Sequence, residues 1–167
     1  MGRGQSERLV PMLEEMLSEA GLAWGDLDAV GVGIGPGNFT GIRIAVATAR
    51  GLSLALGVPA IGVSGFEAAC PEPARSTTVV IDAPRDQVYV QRVGNGTGAP
   101  RIVPQSEIGR LDPPIVRLND LPLDEMVTNI GRLARRRRTA PSPRPAPLYV
   151  RATDAAPSRD VPPVILP

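Results

Sequence analysis

The hydrophobic positions change their period along the chain. Before residue 65 they recur mostly at helical spacing, with two short apolar runs between helices; from residue 76 they alternate with polar residues. Helical spacing predicts amphipathic helices, and alternation predicts half-buried strands. We therefore expect an α/β protein with the remnant of a first α/β domain at 1–65, a second α/β domain at 66–150 and an extended tail at 151–167.

The first predicted element is a helix over residues 6–20. Ser6 is suited to be its N-cap, and Gly21 is expected to end it. Pro11 must lie near the first turn or bend the helix, because proline is disfavoured in a helix interior. The apolar residues at helical spacing are Leu9, Leu13, Met16, Leu17 and Ala20.

A strand–helix–strand unit follows. Residues 27–35 and 58–64 are short apolar strands, and residues 40–56 between them form a long helix closed by Gly57. This order predicts a parallel βαβ unit. Glycines in the first strand leave little side chain on one face, so we expect another element to pack closely there.

The turn before the long helix, GPGNFTG at 35–41, looks like a phosphate-binding loop. Its glycine spacing fits neither G-x-G-x-x-G nor a P-loop, and the chain has no lysine. An anion site at the helix N-terminus stays open. A structural turn is favoured, in which Asn38 or Thr40 caps the helix. The residues assigned to this turn are Gly35, Pro36, Gly37, Thr40 and Gly41.

The long helix is apolar nearly all round, which predicts burial on more than one side. A separate stripe at i, i+4, i+7 and i+11 combines small and apolar residues with two arginines. Its members are Arg43, Ala47, Arg50 and Leu54. The stripe fits a helix that packs on another chain, and the pattern alone equally allows a helix inside its own domain with both arginines in solvent.

The second half predicts mainly antiparallel strands. Residues 76–83 and 87–93 form a hairpin around a Pro-Arg-Asp turn, and residues 100–105 add a third strand. A short helix begins after Ser64. A longer helix lies within 120–138, and its arginines at the C-terminal end suit the helix dipole. The proline-rich chain from Thr139 is expected to be extended.

Composition removes many catalytic mechanisms. The chain has no histidine, all eighteen basic residues are arginine, and Cys70 is the one cysteine. A Ser-His-Asp triad, a histidine metal site and a lysine Schiff base are therefore excluded. We expect no catalytic residue, no metal and no cofactor. One cysteine forms no internal disulfide, which favours the cytoplasm, and no uninterrupted apolar run reaches the roughly 18 residues of a membrane span.

Other candidate residues have simpler interpretations. Net charge of +1 and 3% aromatics do not favour a nucleic-acid surface. Asp82, beside Arg85 and Asp86, is expected in turn chemistry rather than catalysis. Cys70 is expected to be structural. The arginines at 135–138 are more often a solvated helix end than a tRNA contact.

The segment GPGNFTGIRIAVATARGLSLALGVPAIGVSGFEA, residues 35–68, closely resembles the hallmark segment of the TsaB (YeaZ) family. The resemblance continues upstream at 6–33 and downstream at 79–93 and 145–160. This family is the dimerisation subunit of the bacterial machinery that makes threonylcarbamoyladenosine in tRNA. The resemblance implies the two-domain α/β fold of actin, sugar kinases and Hsp70 (the ASKHA fold).

The resemblance also implies a role without catalysis. TsaB pairs with the related subunit TsaD, which transfers the threonylcarbamoyl group to adenosine-37 of tRNAs that read ANN codons, and an ATPase, TsaE, joins them. Contact of this chain with tRNA would be indirect or weak, and a homodimer stays open. The interface in the family uses the first helix and the helix after the glycine turn. The corresponding residues are Leu9, Met12, Leu13, Met16, Arg43, Ala47, Arg50 and Leu54.

The sequence departs from the family at its beginning. The family starts with three strands that have no counterpart here, so we expect a truncated first domain whose two-strand sheet has uncovered apolar faces. We interpret Met1 as a mis-called start; a genuinely short, partner-dependent protein is the alternative. Competing functions are a glycopeptidase- or kinase-like enzyme of the same fold and a non-functional fragment.

Overall fold

The computed structural model describes residues 5–72 and 76–150. Within these ranges the main elements are four helices and six strands. In chain order they are α1 (Gln5–Glu19), β1 (Val30–Gly33), α2 (Phe39–Leu56), β2 (Ala60–Val63), α3 (Gly65–Ala69), β3 (Thr77–Ala83), β4 (Gln87–Val93), β5 (Arg101–Pro104), β6 (Ile115–Arg117) and α4 (Leu123–Arg137). The predicted tail at 151–167 lies outside the described residues.

Strands β1 and β2 are parallel and α2 connects them, which confirms the predicted βαβ unit. The side chain of Asn38 accepts a hydrogen bond from the Gly41 amide, so Asn38 rather than Thr40 caps α2. Gly57 ends the helix in the left-handed conformation, at φ 70°. Both boundaries follow from local chemistry. Asn38 caps the first turn, and Gly57 adopts the left-handed conformation that ends a helix.

Both faces of the two-stranded sheet are covered, so the expectation of uncovered faces is wrong. On one face Val32 packs against Val46 and Ala49 of α2. On the other face Ile61 and Val63 pack with Leu133 and Ala134 of α4, in a cluster that also includes Ala68 of α3. Helix α4 follows the antiparallel strands in the sequence, and periodicity carries no information about which distant sheet a helix will cover.

Glycines in β1 allow α4 to approach the backbone closely. A Cβ placed on Gly31 would lie 2.9 Å from the Cβ of Ala134 and 3.3 Å from the Cγ2 of Ile130. The close packing predicted from these glycines is confirmed. Although α4 belongs by sequence to the proposed second domain, it packs on the first sheet; the division at residue 65 stays a prediction.

The second sheet has the order β5-β4-β3-β6. Strands β3 and β4 form the predicted hairpin, and β5 adds the predicted antiparallel strand. Arg85 and Asp86 form the turn of the hairpin, with positive φ of 62° and 56°. The sequence interpretation missed β6, a three-residue strand parallel to β3. Such a strand is too short for its alternation to be recognised.

Helix α1 is peripheral. None of its residues 7–19 is buried, and none belongs to a core cluster of the described residues. It contains Pro11. Gly21 has φ 67° and Leu22 donates its amide to the Leu17 carbonyl, which confirms the predicted glycine stop. The predicted cap is wrong, because the backbone at Ser6 is already helical.

Residues 141–150 have no regular secondary structure, as predicted. The Leu148 amide donates to the Ile34 carbonyl over 2.8 Å, and Pro145 lies 3.5 Å from the position of a Cβ on Gly62. The segment therefore passes beside β2 and just beyond the end of β1. It brings Tyr149 next to the start of α2, where it contacts Arg43.

Candidate protein-binding surfaces

The four predicted residues of α2 lie on its exposed side. Arg43, Ala47, Arg50 and Leu54 are all exposed, and Leu54 keeps 87% of its surface in solvent. The opposite side of the helix, at Val46 and Ala49, is buried against β1. The sequence alone left two interpretations of this stripe, and the structure shows that this side packs on no core cluster of the described residues. We call these four residues the α2 surface.

The four predicted residues of α1 divide into two pairs. Met12 and Met16 are 42% and 55% exposed, while Leu9 and Leu13 are half-buried. We call these four residues the α1 surface. No core cluster of the described residues joins a residue of the α1 surface to one of the α2 surface. Isolated apolar residues are normal on a surface, whereas contiguous patches mark interaction sites.

Arg43 lies in a cluster with two aromatic rings. Its Nε donates a 2.9 Å hydrogen bond to the hydroxyl oxygen of Tyr149. Its guanidinium carbon lies 3.6 Å from the centre of the Phe39 ring and 5.8 Å from that of Tyr149. The two ring centres are 5.3 Å apart. We call Phe39, Arg43 and Tyr149 the arginine–aromatic cluster.

Sequence reasoning missed both aromatic members of this cluster. Phe39 precedes Arg43 by four residues on the same helix, and that spacing is a signal that pattern analysis could have used. Tyr149 is 106 residues from Arg43 in the sequence. No local pattern links the two, because their contact depends on the path of the 141–150 segment.

The predicted turn residues make contacts inside the protein. Gly35 has φ 97°, and its carbonyl accepts a 2.8 Å hydrogen bond from the Gly65 amide. The Gly35–Pro36 peptide bond is cis. The Gly41 amide at the start of α2 is taken by Asn38. These contacts favour a structural turn over an anion site, which would need free amides.

A cleft of about 640 Å³ separates this turn from the second sheet. Asp82 lines it, at the end of β3 rather than in the hairpin turn. Its carboxylate accepts a 2.8 Å bond from Arg117, and its amide donates to the side-chain oxygen of Asn119. Asp82 is thus held by structural partners. The described residues contain no group of three or more His, Cys, Asp or Glu side chains placed to hold a metal ion.

The arginines at the end of α4 largely have partners within the chain. Arg136 pairs with Glu72, Arg137 pairs with Glu67 over 2.6 Å, and Arg138 donates to the Arg135 carbonyl. Two of these four guanidinium groups are therefore neutralised by carboxylates. This favours the helix-end interpretation over contact with tRNA phosphates.

Glu67 connects the short helix α3 to α4. Burial raises the pKa of its carboxyl, but hydrogen bonds from the amide and hydroxyl of Ser64 and from Arg137 outweigh burial, so the pKa of Glu67 lies below its usual value. The Ser64–Glu67 pair is a capping box, which confirms the predicted cap of α3. Glu67 therefore stabilises the fold in its ionised form.

This lowered pKa predicts an acid-sensitive contribution to stability. A carboxyl whose pKa falls on folding stabilises the protein above its unfolded pKa, and that contribution disappears as pH falls through the folded pKa. We expect Glu67→Gln to lower the free energy of unfolding by about 1 kcal/mol at pH 7, since the partly exposed pair is screened by solvent. Urea titrations at pH 7 and below pH 4 measure the difference, which should shrink at acid pH. A loss that is independent of pH would contradict the role of the charge.

Helix α2 is, among the described residues, the one helix long and apolar enough to cross a membrane by length and composition. It packs on β1 through Val46 and Ala49. Arg43 and Arg50 lie within its length, and charged side chains inside a bilayer are costly. The packing and the two charges are those of a helix at a protein surface.

Comparisons with known proteins identify the family to which the chain belongs. The family model described as "TsaD: tRNA N6-adenosine threonylcarbamoyltransferase" matches residues 1–140. The chain belongs to this family, and it has the α/β fold of the actin, sugar-kinase and Hsp70 class. Within the family it is a TsaB/YeaZ-like protein, as its resemblance to solved YeaZ structures and curated TsaB proteins shows. The predicted resemblance and fold class are confirmed.

Individual relatives support this placement. YeaZ from Pseudomonas aeruginosa matches with a TM-score of 0.66 and 26% identity, over 90% of this chain and 86% of that one. The tRNA threonylcarbamoyladenosine biosynthesis protein TsaB of Haemophilus influenzae is 33% identical over 54% of this chain and 41% of its own length. An uncharacterized protein of Mycobacterium leprae is 37% identical over 96% of this chain and 48% of its own. The chain thus spans about half or less of these curated relatives.

Proposed function

We propose that this protein takes part in the biosynthesis of threonylcarbamoyladenosine in tRNA as a non-catalytic subunit that binds a TsaD-type catalytic subunit. Membership of the family and likeness to TsaB support the pathway. A TsaE-like ATPase as a further partner, a cytoplasmic location and only indirect contact with tRNA belong to the same proposal.

The observation that carries the proposal is the exposed α2 surface. Its outer side combines Ala47 and Leu54 with two arginines, while the inner side is fixed against β1. A helix held on one side and apolar on the other can bury its free side against a second protein. Each Leu or Met side chain buried in this way would contribute roughly 1.5–3 kcal/mol. The exposed methionines of α1 are a second apolar area that a partner could contact.

The experiment tests binding to the TsaD-type subunit encoded in the same genome. We expect Ala47→Glu to raise the dissociation constant by about 10- to 100-fold, because the larger side chain would obstruct close packing at this position and its carboxylate, within one helical turn of Arg43 and Arg50, would compete with the partner for both arginines. Leu13→Asp tests the α1 surface in the same way. Ala99→Glu, the same change at an exposed loop position, serves as the matched control and should leave binding unchanged. Isothermal titration calorimetry measures the dissociation constant of the wild type and of the three variants.

The outcomes separate the possible roles. Unchanged binding of both Ala47→Glu and Leu13→Asp would sink the assignment of the interface. Because the family model carries the name of a transferase, the chain is also assayed alone for threonylcarbamoyl transfer to tRNA. Activity without the TsaD-type subunit would replace the proposed non-catalytic role with an enzymatic one.

A further inference from the structure

Arg43 is held in one orientation with its outer edge free. Tyr149 accepts the hydrogen bond from Nε, and the Phe39 ring supports the flat face of the guanidinium. No bond to either terminal nitrogen occurs within the described parts of the chain. The two terminal nitrogens form the fork that matches a carboxylate in a bidentate pair. Arg43 is therefore preorganised to accept an anion.

The α2 surface lacks any charge that would neutralise this group. Helix α2 contains no aspartate or glutamate, and neither Arg43 nor Arg50 takes part in an ion pair with a described residue. Arginines elsewhere do have carboxylate partners, including Arg117 with Asp82 and Arg137 with Glu67. The two cations of α2 are seven residues apart, about 10 Å along the helix. They flank the small residue Ala47.

We propose that the arginine–aromatic cluster anchors the partner, which presents a carboxylate to the fork of Arg43 from an otherwise apolar surface. This inference rests on the proposed function and adds the chemistry of the partner's contact. Rigid aromatic and arginine side chains are the usual sites of large binding energy in interfaces. Because Arg43 is already oriented, less conformational entropy is lost when the contact forms.

Charge disfavours a second copy that packs its α2 on this one, and the proposed occupant is the TsaD-type subunit. Pairing α2 with α2 across a two-fold axis brings the same surface of each copy together. Arg43 and Arg50 of both copies would then share one interface without a carboxylate from either helix. Like charges brought together in this way oppose association. An acidic partner surface has the complementary charge.

The test compares three variants for binding to the TsaD-type subunit of the same genome. We expect Arg43→Gln to raise the dissociation constant by about 10- to 100-fold and to weaken its dependence on salt. Tyr149→Phe keeps the ring and removes the bond that orients Arg43, so we expect a rise of about threefold. Arg101→Gln, the same charge change at an exposed position of β5, is the matched control and should stay within about twofold of wild type.

A double-mutant cycle identifies the carboxylate. Each exposed aspartate or glutamate of the partner is changed to its amide and measured against wild type and Arg43→Gln. We expect one partner variant whose loss is not additive with that of Arg43→Gln. If no partner position couples to Arg43, the carboxylate contact is overturned.

The outcomes distinguish this inference from the proposed function. Binding of Arg43→Gln within about twofold of wild type overturns the anchor; if Ala47→Glu still weakens binding, the interface itself stands. If neither variant weakens binding, the anchor and the assignment of the α2 surface both fail. If the wild-type chain does not bind the TsaD-type subunit at all, the proposed function itself fails. Sedimentation velocity tests whether a second copy occupies this surface instead. Self-association that Arg43→Gln weakens, together with no binding of the TsaD-type subunit, would assign the surface to a second copy and overturn the inference.

Discussion

Replacing Phe66 by alanine is expected to lower the free energy of unfolding by about 3–5 kcal/mol. Phe66 lies in α3 and has no exposed surface. It packs with Val79, Ile81 and Val93 of the second sheet. Its removal leaves a cavity that rigid strands on one side can fill only partly. Urea unfolding followed by circular dichroism measures the loss, provided that the transition is two-state.

The Phe66 variant also tests how the partner surface is supported. Leu148 and Val150 pack against the same cluster and flank Tyr149. Phe66→Leu, which keeps most of the volume, is the matched control and should cost under about 1.5 kcal/mol. Looser packing around Phe66 should also weaken the hydrogen bond between Tyr149 and Arg43. Tyr149→Phe should therefore have a smaller effect on binding in the Phe66→Ala background. A loss of stability below about 1 kcal/mol would show that this core does not depend on Phe66.

Replacing Gly35 by alanine is expected to cost about 1–3 kcal/mol of unfolding free energy. Gly35 has φ 97°, a region that residues with a Cβ rarely adopt. A Cβ there would lie only 2.6 Å from the Cδ1 of Ile42 and 3.5 Å from the carbonyl oxygen of Leu148. Backbone strain therefore supplies most of the cost, because Cδ1 is the end of a flexible side chain that can rotate away from the added methyl group.

Gly51→Ala is the control, and its expected effect on stability has the opposite sign. It lies within α2, and a Cβ there would meet no atom within 4 Å. Alanine at an open helical position stabilises by roughly 0.5–1 kcal/mol. Thermal unfolding measures both variants against wild type, and we expect a lower melting temperature for Gly35→Ala and a higher one for Gly51→Ala. A neutral Gly35→Ala beside a stabilising Gly51→Ala would show that the turn does not require glycine.

Much of the secondary structure could be predicted because its signals are local. The βαβ unit follows from two short apolar runs around one helical pattern, and the hairpin follows from alternation around a turn. The capping box of α3 needs only Ser64 and Glu67, three residues apart. At α2 the same reasoning left two candidate caps, since Asn38 and Thr40 both have suitable side chains; backbone geometry selected Asn38.

The candidate site could be predicted only in part. The i, i+4, i+7, i+11 spacing of the α2 surface correctly indicated one side of a helix, and its members are exposed. Whether that side met solvent or the protein's own core was undecided, because the helix is apolar nearly all round. The structure answers this through Val46 and Ala49, which occupy the opposite side against β1. Binding through this surface stays a prediction.

By itself, the sequence determined most of the helices and strands, the glycine turn and the family to which the chain belongs. Each rests on residues within a few positions of one another, or on a motif read in order. Only the tertiary structure decided that α4 covers the first sheet and that Tyr149 orients Arg43. The partners in the second contact are 106 positions apart. Their meeting depends on how the whole chain packs, and hydrophobic period, caps and turns carry no information over that distance.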